Sequence, residues 1–325
     1  MDQFSPTDIK AILHSKRANM YYLEYCRVMQ KDGRVLYLTE GKKEHSYYNI
    51  PIANTTILLL GTGTSVTQAA MRMLSQAGVL VGFCGGGGTP LHMATEVEWF
   101  SPQSEYRPTE YLQNWMNFWF DNYQRLAVAK DFQRKRTGYL KSVWKRDRDL
   151  KSEGFTIADS QIQAELTIFD ERTEGAVSTT DLLSIEAQLT KKLYKHASNA
   201  VDIKGFKRIH QSGDSANDFL NHGNYLAYGL AASCLWVLGI PHGFAVLHGK
   251  TRRGALVFDV ADLIKDAVVL PWAFICAKEN ATEQEFRQQV LQKFTEHKAL
   301  DFMFNTVKFT ASQYATSQNE KGQQL

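Results

Sequence analysis

The sequence predicts an α+β multidomain protein: a small β-rich N-terminal domain over residues 1–100 and a larger all-α domain over residues 106–325. Three observations carry this. Aromatic and β-branched runs, separated by turn residues, fill the first hundred positions. After Pro108 the texture changes: "TEYLQNWMNFWFDNYQRLAVAKDFQ" places apolar residues at helical spacing, with no Gly or Pro. At 325 residues, 44% hydrophobic and 12% aromatic, the chain can bury a sizeable core, in two domains or one large one.

In chain order, "ANMYYLEYCRVMQKDGRVLYLTE" gives two strand-like runs around Lys31-Asp32-Gly33, a hairpin signal. "HSYYNIPIANTTILLLG" reads as more strand, with Pro51 restricting one stretch to an edge or turn. "TSVTQAAMRMLSQAG" turns helical, with Thr64 or Ser65 as its cap and Gly78 as its stop. "VLVGFC" is a buried strand, Gly85–Gly88 break the chain, "ATEVEWF" alternates again, and "SPQSEYRPTE" is a linker. Helices are expected over the stretch after Pro108, over 182–195, over 217–238 despite Gly223 and Gly229, and over 259–270 before Pro271. Residues 282–309 supply one or two more, and a polar tail runs from Ala311.

Composition narrows the classes. A net charge of +3 permits a nucleic-acid partner without demanding one. Four scattered cysteines, Cys26, Cys84, Cys234 and Cys276, fit buried reduced thiols rather than a zinc knuckle or disulfide framework. The N-terminus lacks a signal-peptide pattern, and no apolar run reaches the roughly 20 residues of a membrane helix. A cytoplasmic protein with no membrane partner is expected.

Two glycine motifs suggest nucleotide binding and fall short. In "LLGTGTSVTQAA", Val66 stands where a third glycine belongs and no Lys-Ser or Lys-Thr follows, so a tight turn is the better reading. "CGGGGTP" has neither helix nor lysine behind it and reads as a loop. The segment "HGKTRRGALVFDVADLIKD" is more informative. Asp259, Asp262 and Asp266 share one helical stripe among apolar neighbours. Burying such charges unpaired costs several kcal/mol, so a cation should neutralise them. Lys265 offers some relief; a magnesium or manganese ion is the other partner, and His210, His222, His242 and His248 are candidate imidazole ligands. His248 is preferred because one loop and one apolar run return it to the aspartate helix. Glu186, on an apolar face, is a candidate third ligand or a salt-bridge partner of Lys191 or Lys192, and spacing alone does not join it to His248. Two basic runs, one holding Arg134, Lys135 and Arg136 and one spanning Lys191–Arg208, make a phosphate-rich polymer a reasonable partner.

Glu186, followed by "NDFLNHGNYLAYGLAASCLWVLGIPHGFAVLHGKTRRGALVFDVADLIKD", resembles the CRISPR-associated integrases, the first of the core Cas proteins. "ILHSKRANMYYLEYCRV", "IPIANTTILLLGTGTSVTQAAMR" and "GVLVGFCGGGG" resemble the subtype I-F branch. The resemblance implies an N-terminal domain for dimerisation and DNA-end binding and a helical catalytic domain. It implies a Mg2+ or Mn2+ ion on Glu186, His248 and Asp262, with Asp259 supporting and Tyr228 near the scissile phosphate. Arg134, Lys135, Arg136, Arg252 and Arg253 are candidate DNA contacts. The implied partners are double-stranded and branched DNA, a second copy of the chain, and a second core Cas adaptation subunit usually fused to a helicase-nuclease. The implied activity is insertion of captured DNA as new spacers by 3′-hydroxyl attack on a phosphodiester. A neutral His248 is needed to bind metal, so activity is expected to fall at acid pH. The competing readings are a non-catalytic DNA-binding scaffold and a hydrolase of small phosphoesters.

Overall fold

Asp32 and Gly33 both take left-handed backbone conformations, with φ of 50° and 72°. That is the twist a two-residue hairpin turn requires. It joins strands β2 (Cys26–Lys31) and β3 (Arg34–Glu40) antiparallel, with Lys31 opposite Arg34. The structure, a computed structural model, describes residues 19–40, 45–85, 98–100, 108–209, 213–249 and 254–314. The chain divides into two units, Met1–Arg107 and Pro108–Leu325.

In the first unit, β4 (His45–Ile50) pairs antiparallel with β3, and β6 (Ser65–Val66) pairs parallel with β2, giving the order β4-β3-β2-β6. A second sheet has β5 (Thr55–Leu60) between β1 (Asn19–Leu23) and β7 (Leu80–Phe83), both parallel to it, with β8 (Glu98–Phe100) antiparallel at the edge. All six β5 residues are buried, which is why its sequence is a continuous run rather than an alternation. Val28 and Val35 of one sheet share a core with Leu58 and Val81 of the other and Leu74 of helix α1 (Gln68–Gln76). The cap of α1 is Thr67, not Thr64 or Ser65. Ser65 is taken up by pairing with Arg27, and the Thr64 hydroxyl donates to Gly61 O, so the helix starts later. Gly78, at φ 73°, follows the helix end as expected. Most of Gly85–Gly88 lies outside the described residues, as does the tail beyond residue 314.

The regular elements of the second unit, among the described residues, are all helical: α2 (Glu110–Trp119), α3 (Asn122–Arg146), α4 (Arg148–Ser152), α5 (Ser160–Gly175), α6 (Thr179–Ala200), α7 (Ser215–Leu238), α8 (Ala255–Ile264), a π-helical turn (Lys265–Val269), α9 (Leu270–Lys278), α10 (Glu283–Glu296) and α11 (Ala299–Gln313). Side-chain oxygens of Asp121, Asp147, Asp159, Ser178, Asp214 and Thr282 accept the free N–H groups at six helix starts. Helix α7 passes through Gly223 and Gly229 unbroken. At Gly223 a methyl group would lie 2.4 Å from Val269 Cγ1, so the glycine permits close packing of α7 on the π-turn.

The aspartate helix differs from the expected 259–270. It starts at Ala255, after Gly254 in the left-handed conformation, and widens into the π-turn before Pro271. Proline lacks the N–H that would bond four residues back. The carbonyl this leaves, that of Ala267, instead accepts from the Trp144 indole at 3.1 Å. No helix among the described residues is long and apolar enough to cross a membrane.

Candidate active site

Asp259 organises one wall of the site. Its Oδ2 accepts from the backbone N–H of Val246 at 2.7 Å and of Leu247 at 3.1 Å, and its Oδ1 from that of His248 at 3.0 Å. His248 Nδ1 also lies 2.6 Å from Oδ1. A carboxylate with these donors accepts, so Nδ1 carries the proton, and in the neutral ring Nε2 then presents its lone pair. The same loop is fixed from behind, because Trp115 and Trp119 donate to Phe244 O at 3.0 Å and Ala245 O at 2.7 Å.

His248 Nε2 faces Asp262 Oδ2 at 3.9 Å. One turn along α8 from Asp259, Asp262 is buried, and Lys265 closes on its other oxygen in an ion pair. Burial pushes the Asp262 carboxyl up, but Lys265, Arg136 and His248 together hold it below the usual aspartate range. For His248, burial disfavours the charged ring, yet the Asp259 hydrogen bond and the charges of Asp262, Asp259 and Glu186 raise its pKa overall.

Glu186, on α6, shares a small cavity with Asp262, Lys265, Asp266 and Arg136. Its partner is neither Lys191 nor Lys192: Lys192 pairs with Glu165, and Glu186 Oε1 accepts from Arg136 Nη1 at 2.9 Å. The donor atoms of Glu186, His248 and Asp262 do not all lie within 4.8 Å of one another. Among the described residues the one set of three metal-donor side chains whose atoms all lie within 4.8 Å of one another is elsewhere, at Asp147, Glu296 and His297. There the Lys293 ammonium already occupies the cation position, 3.0 Å from Asp147, 2.8 Å from Asp149 and 3.1 Å from Glu296. We therefore read that cluster as an ion-pair hub.

The other candidates fall as follows. Tyr228, on α7, is half-buried, with its ring edge-on to Phe258 and Lys265 Nζ 5.2 Å above it. His222 lies 3.9 Å from Glu283, and His210 is outside the described residues. Arg134 is exposed and Lys135 half-buried; both pair with Asp131, and Arg134 also with Glu174. Arg136 does not join them at the surface: only 3% of it is exposed, and it lies among Glu186, Asp266 and Thr190. Arg252 and Arg253 lie outside the described residues.

The profile of the family described as CRISPR-associated protein Cas1 matches residues 20–301. The chain belongs to the Cas1 family. It is 55% identical to the CRISPR-associated endonuclease Cas1 of Pseudomonas aeruginosa, covering 98% of this chain and 100% of that one. It is 56% identical to that of Pectobacterium atrosepticum, covering 95% and 97%. Its fold is similar to that of a Cas1 protein from Thermotoga maritima (TM-score 0.68, 17% identity, covering 92% and 97%). A casposase bound to integration product is similar too (TM-score 0.67, 16% identity, 91% of each chain).

Within this Cas1-family chain, sequence reasoning missed what Arg136 and Asp266 do. A signal was present. Phe132, Arg136, Leu140 and Val143 recur at helical spacing, and all four are buried, so Arg136 sits on the apolar stripe of α3 rather than on its solvated face.

Proposed function

We propose that this chain is a metal-dependent DNA integrase and endonuclease that inserts captured DNA fragments as new spacers into a CRISPR array. The observation that carries the reading is the 3.9 Å approach of His248 Nε2 to Asp262, with the ring's other nitrogen tied to Asp259, in a chain of the Cas1 family. The names of the two relatives at 55% and 56% identity support an endonuclease and agree with a subtype I-F assignment.

The donor set fits a divalent ion. Glu186 and Asp262 offer carboxylate oxygen and His248 an oriented imidazole, a combination suited to manganese and, with fewer nitrogen contacts, magnesium. The carboxylate–histidine tie through Asp259 is the usual support of a ligating imidazole. Four acids at the site, Glu186, Asp259, Asp262 and Asp266, face two fixed cations, Arg136 and Lys265, which leaves a charge of minus two for one divalent ion to balance. Such an ion, when bound, supplies Lewis acidity at the attacked phosphate and the departing oxygen.

In the proposed reaction the 3′-hydroxyl of the fragment attacks the phosphorus at the edge of a repeat. A new 3′ ester forms, the proton of the attacking hydroxyl passes to solvent, and the repeat strand's 3′ oxygen leaves and takes up a proton in turn, ending as a free 3′-hydroxyl. One phosphodiester replaces another, so no nucleotide is consumed. Tyr228 would hydrogen-bond the scissile phosphate. Arg134, Lys135, Arg146 and Lys298 line one groove and would follow the DNA backbone; the ion pair of Arg134 with Glu174 is exposed and weak enough to exchange for phosphate. Arg252 and Arg253 remain candidate contacts. The N-terminal unit would serve dimerisation and DNA-end binding, and a second core Cas adaptation subunit would complete the cytoplasmic assembly.

The test is strand joining. Fragment DNA, a repeat-bearing plasmid, the partner subunit and manganese or magnesium are incubated with wild type or Asp262→Ala. Joined strands with wild type and none with the variant support the reading. Joining that survives in Asp262→Ala would leave only a scaffold role.

A further inference from the structure

Of the three acids on the aspartate stripe, two have a task in the site: Asp259 orients His248, and Asp262 is a ligand candidate. Asp266 makes no contact with either. It is buried, at the second residue of the π-turn, and burial pushes its carboxyl above the ordinary range while Arg136 pulls the other way. Its oxygen Oδ2 accepts from Arg136 Nε at 2.6 Å and lies 2.5 Å from Nη2. Toward α6, Arg136 Nη1 donates to Glu186 Oε1 at 2.9 Å and Nη2 to Thr190 Oγ1 at 3.1 Å; Nη1 also donates, at 3.3 Å, to Gln133 Oε1 on its own helix.

We propose that Arg136 and Asp266 are the positioning pair for Glu186, fixing where its carboxylate stands relative to His248 and Asp262. This rests on the metal-site reading above. Asp259 and Asp266 then do the same work for different ligands, one directly and one through a guanidinium. Three features support it. Every hydrogen bond described for the Glu186 carboxylate ends on Oε1, which leaves Oε2 for a ligand. The planar fork of arginine fixes direction as well as charge, which a lysine does not. A buried ion pair seldom adds stability over apolar residues of the same size, so stability alone does not account for this one.

The design of the test follows from charge. Removing Arg136 alone also removes a cation that repels metal, so two effects oppose each other. The double variant Arg136→Met/Asp266→Leu removes equal and opposite charges and isolates position. Mn2+ binding to the full-length protein is followed by calorimetry and by the electron-spin signal of free Mn2+, beside thermal unfolding. The double variant is expected to unfold within a few degrees of wild type and to bind Mn2+ about 10- to 100-fold more weakly, the usual loss when a ligand's support is removed. Arg136→Lys, which keeps the charge and loses the fork, is expected to weaken binding in the same direction. Wild-type affinity in either folded variant overturns the proposal. Glu186→Gln is the control for the underlying reading: if it binds Mn2+ as wild type does, Glu186 is no ligand and the metal-site reading itself fails.

Discussion

At the scale of single residues, the site depends on acids that mostly hold other groups in place. Asp259 takes up three backbone N–H groups and a ring nitrogen. Asp259→Ala would strand donors in a buried loop, at roughly 1–3 kcal/mol for each group left unsatisfied. Urea unfolding should therefore show a loss of several kcal/mol, with Mn2+ affinity falling as His248 loses its orientation. A variant as stable as wild type would mean that the loop is held by Trp115 and Trp119 alone. The sequence singled out His248, Asp259 and Asp262, and the structure brings these three together. The setting of Arg136 was not legible: it adjoins Arg134 and Lys135 in the chain, and only the rotation of α3 separates its buried guanidinium from the exposed Arg134 and the half-buried Lys135.

At the scale of elements, close approach and internal ion pairs set the tolerances. Gly223→Ala would force a methyl against Val269 and Phe286 where α7 crosses the π-turn and α10. A destabilisation of about 1–3 kcal/mol is expected, read from the shift in denaturation midpoint. Lys293 ties the start of α4 to the end of α10 through Asp147, Asp149 and Glu296, and His297 adds a 2.8 Å contact to Asp147. Lys293→Met would leave the buried Asp147 short of its cation, at about 3–5 kcal/mol. The same hub has an acid limit. Burial would raise the Asp147 carboxyl, but hydrogen bonds from Leu150 N–H, His297 and Lys293 lower it overall. A depressed carboxyl contributes its stability above the unfolded value of about 3.9, and loses it as pH falls from there through the folded pKa. Unfolding midpoints taken between pH 6 and pH 2 should drop below about pH 4, and less steeply in Asp147→Asn. The helical boundaries themselves were only partly legible. Pro271 signalled an interruption, but the π-turn before it depends on Trp144, 123 residues away, being present to satisfy Ala267 O.

At the scale of the whole molecule, the fold should not depend on the metal. The apolar core is large, and Arg136 and Lys265 already neutralise part of the acid cluster from within. Chelation with EDTA is therefore expected to abolish strand joining, to leave the far-UV circular dichroism unchanged, and to be reversed by added Mn2+. Unfolding on chelation would make the ion structural instead. DNA binding, being led by basic side chains at the surface, should weaken as salt rises, with a linear log–log dependence. Arg134→Ala should make that slope shallower by about one.

By itself the sequence determined the strand-then-helix order, the Asp32–Gly33 hairpin and the family, because each rests on local periodicity, on turn chemistry or on a long matched pattern. Only the tertiary structure decided which charges meet. Arg136, Glu186 and Asp266 lie 50 and 80 residues apart along the chain. Their pairing depends on how α3, α6 and the π-turn pack, and side-chain packing between distant helices leaves no periodic trace in any one of them.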